Sequence, residues 1–188
     1  MLPESFMESK AKLLGHPIHP MLVVLPLGLL VGAVGFDAVY LWTGSPTFAT
    51  VGYWNMAAGS LGGLIAAMFG VADWFAIPNN TRAKRVGLLH GGINLVVIEI
   101  FGFAWLERRV SGNLTPSGYL FGIEVAALVL AGIAAWLGGE LVDRLGVGVD
   151  DAANLNAPRS PFLRAVWKSS PMERADEGWK RSSVGRQR

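Results

Sequence analysis

Residues 21–42 read MLVVLPLGLLVGAVGFDAVYLW, a stretch of 22 positions with one ionisable side chain, Asp37. A helix rises about 1.5 Å per residue, so about 20 apolar residues cross the roughly 30 Å hydrocarbon core of a bilayer. The stretch therefore predicts a membrane-spanning helix, with a kink near Pro26. It is too long for the apolar region of a signal peptide and has no clear cleavage site, which predicts that it is retained.

Three more apolar stretches follow, and the connections between them are short. The four predicted spans are 21–42, 51–77, 86–106 and 118–142. Short connections make consecutive helices antiparallel neighbours. The sequence therefore predicts an all-α membrane protein built as a four-helix antiparallel bundle. An N-terminal cytoplasmic segment, 1–20, precedes the bundle, and a polar cytoplasmic tail, 143–188, follows it and is predicted to be largely flexible.

Charged residues are distributed unevenly along the chain. Residues 20–142 contain 11 charged side chains, whereas the much shorter tail of residues 143–188 contains 15. This contrast excludes a single soluble domain and a disordered chain. The net charge of +2 is too small to indicate nucleic-acid binding. The absence of cysteine excludes disulfides, iron–sulfur ligation and a thiol nucleophile.

Lysine and arginine predict the orientation in the membrane. With four spans, the N-terminal segment, the 78–85 connection and the tail share one side, which carries 14 of the 16 basic residues. The other side carries Arg108 and Arg109, in the predicted connection between the third and fourth spans. The positive-inside rule then predicts a multi-pass protein of the bacterial cytoplasmic membrane with both termini in the cytoplasm.

Polar side chains within the spans are candidate functional residues, because ionisable groups are costly in a bilayer. The three histidines, His16, His19 and His90, are predicted near the cytoplasmic ends of the spans, where Asp73 ends the second span. His16 and His19 lie in the proline-rich segment GHPIHP. The other polar positions within or at the ends of the spans are Asp37, Asn55, Asn94, Glu99, Glu124 and Glu140.

The histidines allow several chemistries. Imidazole is the usual axial ligand of b-type haem and a common ligand of transition metals. A haem with two histidine ligands pairs His90 with His19 or His16, whereas another metal takes two or three histidines together with Asp73. A structural role, in which these groups hydrogen-bond one another, is a further interpretation. The corresponding functions are a small redox subunit, a non-catalytic accessory subunit, or a small transporter or proton path.

No motif indicates an enzyme that acts on its own. The sequence contains no G-x-S-x-G, P-loop or H-E-x-x-H pattern. The expected partners are the lipid bilayer, a membrane complex or redox partner protein, and a second copy of the chain. Glu99 lies about two and a half helical turns from His90, so it is predicted on the opposite face, towards another helix, a second subunit or lipid headgroups.

Each span also contains a pair of glycines four residues apart. The pairs are Gly28/Gly32, Gly59/Gly63, Gly87/Gly91 and Gly118/Gly122. Such pairs let helix backbones approach closely. They predict tight packing within the bundle, a homo-oligomer, or a flat cofactor against a helix.

Five segments together resemble a known family. They are GHPIHPMLVVLPLGLL (Gly15–Leu30), Asp37, GVADW (Gly70–Trp74), His90 with Asn94, and LGGELVDRLGVGV (Leu137–Val149). In this order they resemble an uncharacterised bacterial membrane family, domain-of-unknown-function family 2231, over about residues 15–149. The resemblance implies a four-helix bacterial membrane protein. Some relatives are joined to Rieske-type domains, which implies a role near electron transfer.

Overall fold

The computed structural model describes residues 7–150, 153, 155 and 156. These residues belong to two units. The first unit contains residues 7–11 and 17–150, and the second contains residues 12–16 with 153, 155 and 156. Apart from those three positions, the tail beyond Asp150 lies outside the described residues, and with it the predicted flexibility of that segment.

The first unit is a bundle of helices. They are α1 (Ile18–Leu22), α2 (Val24–Thr43), α3 (Pro46–Ala76), α4 (Arg82–Val110) and α5 (Gly118–Gly139), and a π-helical turn (Glu140–Arg144) continues α5. With α1 and α2 taken as one span, the described residues contain four helices long and apolar enough to cross a membrane, as predicted. Each span packs against the next, and α2 also packs against α5, which closes the antiparallel bundle.

The ends of the helices are set by capping groups, so several helices extend beyond the apolar stretches. Gly44, with φ of 71°, ends α2, and the Thr81 hydroxyl accepts a hydrogen bond from the Lys84 amide at 3.1 Å at the start of α4. The third span, predicted to end at Leu106, continues to Val110. The first span is interrupted at Val23, because the proline three residues later lacks an amide hydrogen and crowds the preceding turn.

The interior of the bundle is built from small residues, and many large apolar side chains point outward. Ala33, Ala104 and Ala127 are fully buried, whereas Phe75 and Trp136 are about 70% exposed, at 71% and 68%. In water such an apolar exterior would be unstable. It is the exterior expected of helices that are surrounded by lipid.

Residues 12–17 form a short hairpin. Its strands are β1 (Lys12–Leu13) and β2 (His16–Pro17). The two residues between them, Leu14 and Gly15, have positive φ angles of 53° and 86°. Positive φ at both central positions is typical of a type I′ hairpin turn. This turn leaves the His16 side chain exposed.

The predicted close approach at glycine is present at some pairs and absent at others. A Cβ on Gly59 would lie 2.7 Å from Leu30 Cδ2, and one on Gly63 would lie 3.0 Å from Ile98 Cδ1. No atom lies within 4 Å of the corresponding position on Gly28 or Gly122. Glycine therefore lets α3 pack close to α2 and α4, whereas Gly28 on the first span and Gly122 on the fourth span face open space.

The substitution Gly59→Ala is expected to destabilise the bundle by about 1–3 kcal/mol, because the new methyl group overlaps Leu30. The matched control Gly28→Ala meets open space, and it should leave stability unchanged or raise it by up to about 1 kcal/mol through helix propensity. Thermal unfolding in detergent or nanodiscs measures both. Equal effects of the two substitutions would contradict the packing described for α2 and α3.

Candidate functional site

The imidazole of His19 lies between two helices. His19 is in the first turn of α1, and its Nδ1 lies 2.8 Å from the carbonyl oxygen of Ala66 on α3. A Cβ on Gly70, one turn further along α3, would lie 2.9 Å from His19 Cε1. Glycine at this position therefore gives the ring its space. Because a carbonyl oxygen only accepts hydrogen bonds, Nδ1 carries the proton of the neutral ring.

His90 repeats this arrangement on the other pair of helices. Its Nδ1 lies 2.8 Å from the carbonyl oxygen of Ala134 on α5, and a Cβ on Gly138 would lie 3.2 Å from the ring. Asn94, one turn along α4, donates to the His90 carbonyl at 2.9 Å and lies 3.3 Å from His90 Nε2. The Nδ1 proton is again fixed by a carbonyl acceptor, and Nε2 is the acceptor atom of the ring.

His19 and His90 face each other and are called the histidine pair below. Their ring centroids are 6.3 Å apart and their planes are perpendicular. Histidines that bind metals usually donate their second ring nitrogen to a carbonyl or carboxylate, which fixes the tautomer and the ring orientation. Both members of the histidine pair make this supporting hydrogen bond. The pair therefore combines two oriented rings with two Nε2 lone pairs.

The predicted carboxylates near the same end of the bundle bind other partners. Asp73 accepts hydrogen bonds from the Ser9 hydroxyl and the Lys10 amide, each at 2.8 Å, and so holds the N-terminal segment. Glu140 forms ion pairs with Arg82 at 2.5 Å and with Arg144 at 3.3 Å. Among the described residues, no group of three or more His, Asp or Glu side chains is arranged to hold a metal ion.

Towards the opposite ends of the helices, three ionisable side chains form a buried cluster, called the ionic triad below. Arg108 of α4 binds both oxygens of the Asp37 carboxylate on α2, through Nη1 at 3.1 Å and through Nη2. Arg108 Nη2 also binds Glu124 Oε1 on α5 at 2.8 Å. All three side chains have zero exposure. The triad therefore joins three of the four spans.

A glycine on α3, the span that contributes no member of the triad, makes room for the triad. A Cβ on Gly52 of α3 would overlap Asp37 Oδ1 and would lie 3.2 Å from the Ala33 carbonyl oxygen. Because Ala33 contributes a backbone atom, that contact cannot be relieved by a side-chain rotation. The α3 helix can therefore pack against the Asp37 carboxylate only where it has no side chain.

A family model described as predicted membrane protein (DUF2231) matches residues 15–151, the segment that carries both clusters. The chain belongs to this family. No curated protein and no solved structure matches the chain significantly. The family description states a membrane location and no activity, so a DUF2231 protein resides in a lipid bilayer and its chemistry has to be inferred from the clusters.

One residue of this DUF2231 protein was placed wrongly by the sequence. Arg108 was predicted in the connection after the third span, but it is 1% exposed, inside α4, and lies between two carboxylates. The signal was present in Asp37 and Glu124. Two acidic side chains within apolar spans require a cation at a similar depth, and Arg108 is the basic residue nearest that end of the bundle.

The remaining predicted polar residues lie apart from both clusters. Asn55 on α3 is half-buried and faces α2, where a Cβ on Gly32 would lie 3.1 Å from its Nδ2. Glu99 is exposed in the middle of α4. Among the described residues, Glu99 is the one exposed charged side chain in the middle of a span. The sequence predicts Glu99 on the face opposite His90, towards another helix, a second subunit or lipid headgroups.

The substitution Arg108→Ala is expected to destabilise the protein by about 3–5 kcal/mol, because it leaves two buried carboxylates without their cation. The neighbouring Arg109 is exposed, and Arg109→Ala is expected to change stability by less than about 1 kcal/mol. Thermal unfolding in nanodiscs compares the two variants directly. A stability of Arg108→Ala close to that of Arg109→Ala would show that the triad does not hold the bundle together.

Proposed function

We propose that this DUF2231 protein is a small redox subunit of the bacterial cytoplasmic membrane, in which His19 and His90 would hold a b-type haem. The observation that carries the proposal is the geometry of the histidine pair. Two imidazole nitrogens, each about 2 Å from a shared metal, set the ring centroids about 6 Å apart. The measured separation is 6.3 Å.

The number of ligands also favours haem over other metals. A haem iron would need only one or two ligands from the protein, whereas tetrahedral metal sites take three or four protein groups. The histidine pair provides two. The alternative metal site of His16, His19, His90 and Asp73 needs more ligands, and the Asp73 carboxylate is engaged by Ser9 and Lys10.

The surroundings of the pair fit axial ligation. The carbonyls of Ala66 and Ala134 fix the ring orientations and make each Nε2 a better donor to iron. Ligation of His90 would replace only its 3.3 Å contact with Asn94, whose amide keeps its 2.9 Å bond to the His90 carbonyl. Bound haem supplies one-electron redox chemistry, and the low polarity of the bundle tunes its potential.

The orientation is part of the same proposal. Lys84 and Arg85 lie near the end of the bundle that holds the histidine pair. At the other end Arg108 is buried in the triad. Among the described residues, Arg109 near the end of α4 is then the exposed basic side chain at that end. The excess of exposed basic residues at the end with the histidine pair is therefore larger than the count of lysine and arginine in the sequence indicates. It supports cytoplasmic termini and a histidine pair near the cytoplasmic side.

Purified protein in mild detergent is expected to show a Soret band that is absent from both His19→Ala and His90→Ala. His90→Met should retain a shifted band, because methionine is also an axial ligand of haem iron. Asn55→Ala is the control, since it removes a polar side chain far from the pair. Visible spectra after haem reconstitution, together with quantification of bound metals, measure the outcome.

Three results would contradict the haem proposal. A folded protein that stays colourless and metal-free after reconstitution would leave the pair with a structural role. Bound zinc, copper or non-haem iron that is lost with His19 and His90 would indicate a metal site instead. A Soret band that survives both alanine variants would place the haem elsewhere. Circular dichroism and size-exclusion chromatography establish that each variant is folded.

A second candidate function is a non-catalytic accessory subunit, and the outer face of α4 favours it. Leu88, Gly92, Leu95, Glu99, Gly102 and Leu106 recur at alternating spacings of four and three residues, and together they are called the α4 seam. This spacing is typical of helices that pair along their length. Leu88 and Leu95 are 62% and 49% exposed. A groove of about 480 Å³ between α4 and α5 begins beside Leu88.

Glu99 gives the seam a reason to be covered. A charged side chain at the centre of a span costs about 2.5–3.5 kcal/mol for insertion. A second copy of the chain, inserted in the same orientation, brings its own Glu99 to the same depth. Two carboxyl groups that share a proton satisfy each other, and the glycines of the seam allow the close approach that this contact needs.

Because the chain contains no cysteine, single substitutions report this pairing directly. Leu95→Cys, on the seam, is expected to form a disulfide-linked dimer in membranes, whereas Leu64→Cys, exposed on α3, is not. The crosslink should weaken when Glu99→Leu is added and persist with Glu99→Gln. Equal crosslinking at both positions, or none at Leu95→Cys, would contradict pairing through the seam.

A further inference from the structure

The ionic triad has an unbalanced charge. It contains two carboxyl groups, Asp37 and Glu124, and one guanidinium, and their side chains are fully buried. With all three groups ionised the triad would carry one net negative charge. Asp37 and Glu124 each lie six residues from the end of their helix, which corresponds to about 9 Å. An uncompensated charge at such a site is costly.

The hydrogen bonds of the triad distinguish the two carboxyl groups. Asp37 receives a two-pronged bond from Arg108, which is the strongest contact that an ionised carboxylate makes with a side chain. Glu124 receives a single bond, at Oε1, and its Oε2 is buried without a donor in the described part of the structure. Asp37 Oδ2 and Glu124 Oε1 both bind Arg108 Nη2, so the two carboxyl groups are neighbours. Two ionised carboxylates so close together repel each other.

We propose that the ionic triad is a proton-binding site, in which Glu124 holds one proton on the oxygen that Arg108 does not bind. Asp37 keeps its two-pronged bond with Arg108. The triad becomes neutral, and the unpartnered oxygen acquires a hydrogen to donate. A proton is the ligand that needs nothing more than a carboxyl oxygen, whereas a sodium ion in the same place would need several oxygen ligands.

The triad lies beside a cavity at one end of the bundle. The elements packed against α5 at this depth contribute Asp37 from α2 and Arg108 from α4. Arg108 lines a cavity of about 470 Å³ at the α4–α5 connection. Hydroxyl and amide side chains, including Ser111 and Asn113, also line this cavity. Arg108 therefore lies between the Glu124 carboxyl group and this polar cavity.

Infrared spectroscopy of the protein in nanodiscs tests the proposal, because a protonated carboxyl group has its own carbonyl-stretch band. To exclude a contribution from Glu99, the spectra are recorded in a Glu99→Gln background. The band is expected there and also with Glu107→Gln added, which changes an exposed carboxylate beside the cavity. It should be lost when Glu124→Gln is added. The amide of Glu124→Gln imitates a neutral acid, so its Tm should stay near that of the unmodified protein. Asp37→Asn removes the ionised partner of Arg108 and should lower Tm strongly.

Isotope labelling keeps the test decisive if a variant does not fold. In Glu99→Gln protein with Glu124 intact, ¹³C-labelled glutamate should shift the band, and ¹³C-labelled aspartate should not. The proposal is overturned if the band is absent, if it shifts with labelled aspartate, or if Glu124→Gln lowers Tm as much as Asp37→Asn. A Tm that rises with sodium at constant ionic strength would show a metal cation in place of the proton. None of these outcomes depends on haem binding.

Discussion

The bundle depends on one constraint: a polar group inside a bilayer has to find its partner within the protein. The ionic triad meets this constraint by joining α2, α4 and α5 through a single guanidinium. Several other features follow from it. The α4 helix has to continue past its apolar stretch so that Arg108 is held in regular structure. The α3 helix has to present Gly52, because a side chain there would occupy the space of Asp37.

The two polar clusters satisfy the same constraint with different chemistry. The triad uses charged groups that bind one another across three helices, and it leaves Arg108 Nε and Glu124 Oε2 buried without a partner among the described residues. The histidine pair uses neutral rings anchored to backbone carbonyls, which consumes one nitrogen of each ring and leaves the other. One nitrogen of each ring fixes the ring orientation and the other is left to bind. This is the arrangement expected of metal-binding histidines. This difference is why the histidine pair carries the proposed cofactor and the triad does not.

The sequence predicted the spans because bilayer thickness fixes their length, and long apolar stretches are unambiguous. It also identified His19 and His90, since ionisable residues stand out in such stretches. It grouped Asp73 with the histidines because residue number gives depth. Depth does not give direction around the helix axis, and the Asp73 carboxylate binds Ser9 instead. Arg108 was assigned to a connection because an arginine near the end of a span is typical of the membrane surface. Its burial depends on where two other helices place their carboxylates, which no local pattern contains.

Charge neutrality connects the three proposals. A protonated Glu124 makes the ionic triad neutral, and the carbonyls of Ala66 and Ala134 give each ring of the histidine pair a hydrogen-bond partner. Within the central part of the described bundle, Glu99 is then the charge that no neighbour in the same chain compensates, and it is the one that points outward. When the interior is neutral, the Glu99 carboxylate on the lipid-facing surface is the group that still needs a polar partner. The outer face of α4 therefore presents a carboxylate that the described part of its own chain does not compensate. A second helix packed against that face would supply the partner.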